Sequence, residues 1–119
     1  MKQFNRKKGG LGEKLAEGYL REKGYKILER NWGAKWGEID LICTKNNVLV
    51  FVEVKLKMGD RFGSPEEMVN KRKLGQIMRM AEVYESKLVQ KRIDVVAIVM
   101  DETTKEVERI SHYEGVSDL

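Results

Sequence analysis

Gly37-Glu38-Ile39-Asp40-Leu41-Ile42 and Val50-Phe51-Val52-Glu53-Val54-Lys55 are two strand-sized runs in which charged residues sit two apart inside otherwise apolar sequence. Side chains alternate between the faces of a strand, so Glu38 and Asp40 share one face, as do Glu53 and Lys55. Ile39, Leu41, Cys43, Val52 and Val54 make the other face. Between the runs, Asn46-Asn47 offers a two-residue turn, because Asn tolerates positive φ, and the numbers of facing partners then sum to 93. Asp40 is thereby set opposite Glu53, and Glu38 opposite Lys55. Facing carboxylates have Cβ atoms about 5 Å apart and repel each other. A divalent cation offsets that repulsion, and Mg²⁺ or Mn²⁺ prefers hard oxygen ligands together with water and phosphate oxygens. Lys55, one strand step from Glu53, is placed to orient or deprotonate a water and to stabilise charge on a phosphoryl oxygen. The plainer alternative is a Glu38–Lys55 ion pair with Asp40 and Glu53 turned to solvent. Against it, Ile42, Leu49 and Phe51 lie on the charged side, and charges embedded in buried strands need partners.

Outward from the hairpin, the N-terminal side reads as a helix over Gly10–Lys23, with Leu11, Leu15, Ala16, Tyr19 and Leu20 at helical spacing and Gly24 as its C-terminal cap. Tyr25–Trp32 is a short strand, followed by the turn Gly33–Gly37. On the C-terminal side, Ser64-Pro65-Glu66-Glu67 carries a helix-start signature with Ser64 as N-cap. A helix over Asn70–Val89 follows, whose Leu74, Ile77, Met78, Ala81, Tyr84 and Leu88 fall within an arc of about 120°. Ile93–Met100 is a buried strand and Glu106–Ser111 a last edge strand. Helix, three strands, helix and one or two strands imply an α/β fold, a mixed sheet covered by helices.

At 119 residues and 41% hydrophobic content the chain holds one core, with residues 1–9 expected as a basic tail and 10–119 as a single domain. The aliphatic runs are too short to span a bilayer, and no secretion signal follows the basic start, so a cytoplasmic protein without membrane contact is expected. One cysteine, Cys43, and one histidine, His112, exclude an intrachain disulfide and a Cys/His zinc cluster. His112 is read as a surface residue and Asp94 as a strand-start residue holding helix or loop hydrogen bonds. The net charge of +4 resides in residues 1–9, while 55–92 carries ten basic and five acidic residues and 101–119 two basic and six acidic. That polarity suits a polyanion on one side. Lys57, Arg61, Lys71, Arg72 and Lys73, around the Gly59–Gly63 segment, are the expected phosphate contacts. Trp32 and Trp36 flank the turn before Glu38, and Trp36 is read as a packing lid, with stacking on an exposed base as the alternative.

Asp40 followed by Glu53-x-Lys55 resembles the motif of the PD-(D/E)xK nuclease superfamily. The longer pattern resembles the YraN-like family of predicted nucleases: Gly9-x-x-Gly12-Glu13-x-x-Ala16-x-x-Tyr19-Leu20, Gly24-Tyr25-x-Ile27-Leu28-x-x-Asn31-Trp32, Gly37–Ile42, Leu49–Lys55, Phe62–Glu67 and Arg92–Ala97. The resemblance implies a restriction-endonuclease-like αβββαβ core, similar to that of archaeal Holliday junction resolvases, with Asp40, Glu53 and Lys55 in the catalytic positions. It also implies Glu13 as an acidic residue brought toward the metal from the first helix, and Glu38 as a partner of Lys55. Ile39 stands where the superfamily name has proline, and Ile110–Leu119 departs from the family's usual ending. The function expected is Mg²⁺- or Mn²⁺-dependent hydrolysis of DNA, including branched or structured DNA, and a homodimer is compatible with it. The competing readings are a non-catalytic nucleic-acid-binding module of the same fold and an interaction module with a structural Glu38–Lys55 pair.

Overall fold

The computed structural model describes residues 2–35, 37–59, 63 and 65–116. Along the chain run α1 (Lys2–Glu22), β1 (Lys26–Ala34), β2 (Gly37–Lys45), β3 (Val48–Met58), a 3₁₀ turn (Pro65–Met68), α2 (Lys71–Val83), β4 (Lys91–Met100) and β5 (Val107–Tyr113). The five strands form one sheet in the order β1-β2-β3-β4-β5. All neighbours are antiparallel except β3 and β4, which run parallel. A parallel pair needs a crossover, and the 3₁₀ turn with α2 supplies it. The sheet is mixed and the fold is α/β, as the sequence implies.

Each helix closes one face. Ala16 and Leu20 of α1 pack on Leu41, Cys43, Val50, Val52, Val96 and Ile98. Ile77, Met80 and Ala81 of α2 pack on Ile39, Ile42, Leu49, Phe51 and Ile93. α1 ends as expected at Gly24, whose φ of +92° permits a paired cap. Gly24 N–H donates to the Arg21 carbonyl and Tyr25 N–H to the Leu20 carbonyl, each at 3.0 Å. It starts earlier than expected, at Lys2. Helix α2 is shorter than its periodicity suggests. Its N-cap is Asn70, whose Oδ1 accepts the Lys73 N–H at 2.9 Å; Ser64 lies outside the described residues. It stops at Val83 because Tyr84 turns inward, its ring edge-on to Trp32 and Phe51 and its hydroxyl on Glu29. Tyr84 and Leu88 still pack on the α2-side core, from outside the helix.

The hairpin turns at Asn46 and Asn47, both in the left-handed region at φ 52° and 64°. Its register is the expected one from Lys45↔Val48 to Leu41↔Val52. There the paired register ends, before Asp40 and Glu38 reach the positions opposite Glu53 and Lys55. Across β1, Asn31 adopts φ 49° between the pairs Arg30↔Leu41 and Trp32↔Ile39. This break lets the consecutive Arg30 and Asn31 both reach α1, at Glu17 and Glu13. It also turns Trp32 and Ile39 toward α2. Ile39 therefore lies on the face opposite to the one simple alternation gives it.

Candidate active site

Glu53 is the centre of the site, its residue 3% exposed on the α2 side of the central strand β3. Its Oε2 lies 3.3 Å from Lys55 Nζ and 3.6 Å from Lys73 Nζ, so two ammonium groups from different elements share one carboxylate oxygen. Lys55 comes from the same strand face, and Lys73 from the first turn of α2, where the Asn70 cap fixes the helix start. The other oxygen, Oε1, is buried and has no hydrogen-bond partner among the described residues. A buried carboxylate oxygen without a donor is costly, and a cation or a substrate donor relieves it.

Asp40 joins from β2. Its Oδ2 accepts the Val54 N–H at 2.7 Å, a bond that a ladder carbonyl would otherwise make. The side chain thus replaces the backbone where the β2–β3 ladder stops, and its carboxyl is brought against that of Glu53. Burial, then the Glu53 charge, push the Asp40 carboxyl up to about 8, the Val54 hydrogen bond opposing them. Glu13 of α1 reaches the same region from the other side of the sheet. Its Oε1 accepts from Asn31 Nδ2 at 2.6 Å, and its carboxyl is raised by burial first, with Glu38 and Glu53 adding repulsion and the Asn31 bond opposing. Gly12 makes the approach of α1 to β3 close: a Cβ there would sit 3.2 Å from Leu56 Cβ.

Glu38 is exposed and pairs along the chain with Gly33 of β1, not with Lys55. A Cβ on Gly33 would meet Glu38 Cγ and the Gly37 carbonyl at 2.8 Å, so glycine is what lets Glu38 lie there. Lys55 pairs with Glu53 instead, because the ladder that would have set it opposite Glu38 has already ended. Of the expected phosphate contacts, Lys73 is in the site itself, Lys57 lies further along β3, and Lys71 and Arg72 are exposed at the start of α2. Arg61 and Trp36 lie outside the described residues. Among the described residues, no three His, Cys, Asp or Glu groups already surround one metal-sized point.

Two features are not evident in the sequence. Asn31 holds Glu13, and its signal was an Asn before Trp32-Gly33, a residue type that accepts positive φ. His112 turns its side chain inward rather than to the surface, leaving it 7% exposed with Nε2 2.8 Å from Asp94 Oδ2. Asp94 also takes Arg92 and the Gly115 N–H.

The fold and the site define an α/β protein with a mixed five-stranded sheet and paired, lysine-flanked carboxyl groups where β2 parts from β3. The chain belongs to the uncharacterised protein family UPF0102, the YraN-like family, which matches residues 12–98. It is 44% identical to a UPF0102 protein of Syntrophomonas wolfei, over 90% of this chain and 96% of that one. It is 42% identical to a UPF0102 protein of Caldanaerobacter subterraneus, over 94% and 96%, and 43% identical to one of Thermodesulfovibrio yellowstonii, over 87% and 92%. Among the described residues, no helix is long and apolar enough to cross a membrane.

Proposed function

We propose that this protein is a divalent-metal-dependent nuclease that hydrolyses DNA phosphodiester bonds, acting in the cytoplasm on DNA that includes branched or structured forms. The observation that carries the reading is the buried Glu53 carboxylate, one oxygen shared by Lys55 and Lys73 and the other unpartnered beside Asp40. Such a donor set fits a hard cation: it offers carboxylate oxygens, one of them orphaned, and a second carboxyl that burial and then the Glu53 charge keep from ionising until a cation offsets them. Asp40 and Glu53 would hold Mg²⁺ or Mn²⁺, with Glu13 a further carboxyl whose charge acts on Asp40, and water and substrate phosphate would complete the shell. The cation, when bound, supplies a more acidic water and polarises the phosphoryl group. Lys55 offsets the charge that develops on the phosphoryl oxygens, and Lys73 holds the adjacent phosphate. The order of elements, α, three strands, α, strand, accompanies this reading as the restriction-endonuclease-like core that the motif implies.

The test is incubation of the pure protein with linear, nicked, flapped and four-way DNA in Mg²⁺ or Mn²⁺, beside Asp40→Asn and Lys55→Ala. Cleavage by the wild type alone supports the reading. Binding of DNA with no cleavage of any substrate in either metal replaces it with the non-catalytic DNA-binding module.

A further inference from the structure

We infer that the groove between α1 and β1 holds one backbone phosphate of the bound DNA, close to the scissile one, in a clamp made by Arg21 and Arg30. The inference rests on the DNA-directed reading above and adds the path by which a strand leaves the carboxylates. The groove, about 480 Å³, is lined by Glu13, Lys14, Glu17, Arg21, Arg30 and Asn31.

Glu17 organises the clamp. Arg30 donates from Nε to Oε1 and from Nη2 to Oε2, each at 2.7 Å, while Arg21 Nε donates to Oε2 at 3.0 Å with its Nη2 2.9 Å from the same oxygen. One carboxylate thus fixes a guanidinium from the helix and another from the edge strand, and engages the Nε and Nη2 side of each. The Nη1 sides are left for a ligand. Both arginine side chains are more than half exposed, at 52% and 54%, whereas Glu17 is 19% exposed, so what the triad shows to solvent is mainly guanidinium. The Arg30 bond holds the Glu17 carboxyl below its ordinary value, so the group stays ionised and two guanidiniums less one carboxylate leave one positive charge. Exposed ion pairs add little to stability, and the second arginine is more than Glu17 needs. A phosphate does need it, because guanidinium forks match phosphate oxygens and two held in place lose little freedom on binding. Lys14, exposed on the same groove, adds a further cation.

Placement joins the clamp to the proposed chemistry. Asn31 follows Arg30 on β1 and holds Glu13, whose charge acts on Asp40. Glu17 lies one helical turn beyond Glu13, about 6 Å along the axis. The groove therefore begins at the carboxylates and ends at the clamp. A phosphate is repelled at the Glu13 end and attracted at the other, which sets it on Arg21 and Arg30. Lys71, Arg72 and Lys73 belong to α2, on the opposite face of the sheet, so cationic surfaces flank the carboxylates from both sides.

The experiment titrates flapped and four-way DNA into the full chain in Ca²⁺, followed by fluorescence anisotropy, with the DNA recovered intact and each variant shown to be folded by circular dichroism. Gly18 lines the groove, and a Cβ there meets nothing within 4 Å. Gly18→Lys should tighten binding and Gly18→Glu weaken it, each by about three- to tenfold, since both side chains suit a helix and differ only in the charge they add. A single uncharged methylphosphonate moved along the strand should weaken wild-type binding by roughly tenfold at the clamped linkage. Arg30→Gln should lower the slope of log K against log salt by about one and remove the sensitivity at that linkage alone. Equal affinity of the wild type and both Gly18 variants overturns the groove, and the nuclease reading stands if Lys71→Ala with Arg72→Ala still weakens binding. An Arg30→Gln loss that leaves the methylphosphonate profile unchanged overturns the clamp. No binding of either DNA by the wild type, in Ca²⁺ or in Mg²⁺, overturns both.

Discussion

Asp40 takes the Val54 N–H at 2.7 Å and so ends the β2–β3 ladder with a side chain instead of a carbonyl. One bond thereby stops the strand pairing and delivers a second carboxyl to buried Glu53, and the electrostatic strain of the site follows from it.

That strain makes stability depend on pH in an unusual direction. The folded Asp40 carboxyl, at about 8, lies above its unfolded value of 3.8. The folded chain therefore holds a proton that the unfolded chain releases, and stability falls as pH rises between those values. In EDTA, the melting temperature should fall from pH 5 to pH 8, whereas Asp40→Asn should flatten this part of the profile. Millimolar Mg²⁺ or Mn²⁺ should raise the wild-type melting temperature by mass action, more at pH 8 than at pH 5, and do much less for Asp40→Asn. Calorimetry across pH with and without metal checks both.

Chemistry and binding should separate by position. Lys55→Ala is expected to lower cleavage by about 10²- to 10³-fold with DNA affinity held within a few-fold, because in the proposed chemistry its charge acts on the transition state. Lys71→Ala with Arg72→Ala, both exposed at the start of α2, should instead weaken binding and lower the slope of log K against log salt by up to about two. A salt-dependent electrophoretic titration beside a cleavage assay reads the two effects.

The glycines of α1 should respond oppositely to a side chain. At Gly12, a Cβ would sit 3.2 Å from Leu56 Cβ and 3.5 Å from Val54 Cγ1, so Gly12→Val must push α1 off β3 and should cost about 1–3 kcal/mol. Gly18 has open space around it, and Gly18→Ala should stabilise the helix by about 0.5–1 kcal/mol. Urea unfolding of the two variants distinguishes a packing glycine from a replaceable one.

The sequence made the hairpin legible because its information is local: two Asn residues set the turn, and the period of two set the register from Lys45↔Val48 to Leu41↔Val52. What it hid depends on contacts between distant residues. The end of pairing at Asp40 needs the left-handed Asn31 on one neighbouring strand and the Val54 N–H on the other. Ile39 then changes face, which no alternation rule foresees. Lys73 reads as one of three adjacent basic residues, and only the Asn70 cap and the packing of α2 carry it, rather than Lys71 or Arg72, to Glu53. His112 looks like a surface residue among polar neighbours because its partners come from α1 and β4.

Those partners give the last expectation. Asp94, fully buried, accepts from Arg92 Nε at 2.9 Å and from the Gly115 N–H at 3.0 Å, and lies 2.8 Å from His112 Nε2. Arg92 Nη2 continues to the Tyr25 hydroxyl at 2.6 Å, and Tyr19 Oη lies 3.3 Å from His112 Nδ1, so one carboxylate joins α1, β4, β5 and the chain after it. Burial alone would raise the Asp94 carboxyl, but the bonds from His112, Arg92 and Gly115 outweigh it and hold the group below its unfolded value of 3.8. A group depressed on folding adds stability above the unfolded value and loses it as pH falls through the folded one. Asp94→Asn keeps the shape, removes the charge and turns an N–H₂ group toward donors, which should cost about 3 kcal/mol at neutral pH. The variant should also lose part of the wild-type decline in stability below pH 4, so the two curves approach each other in acid. Urea midpoints from pH 7 to pH 3 test this, and a constant gap between the curves would show that the cost comes from the N–H₂ group facing donors and not from the lost charge.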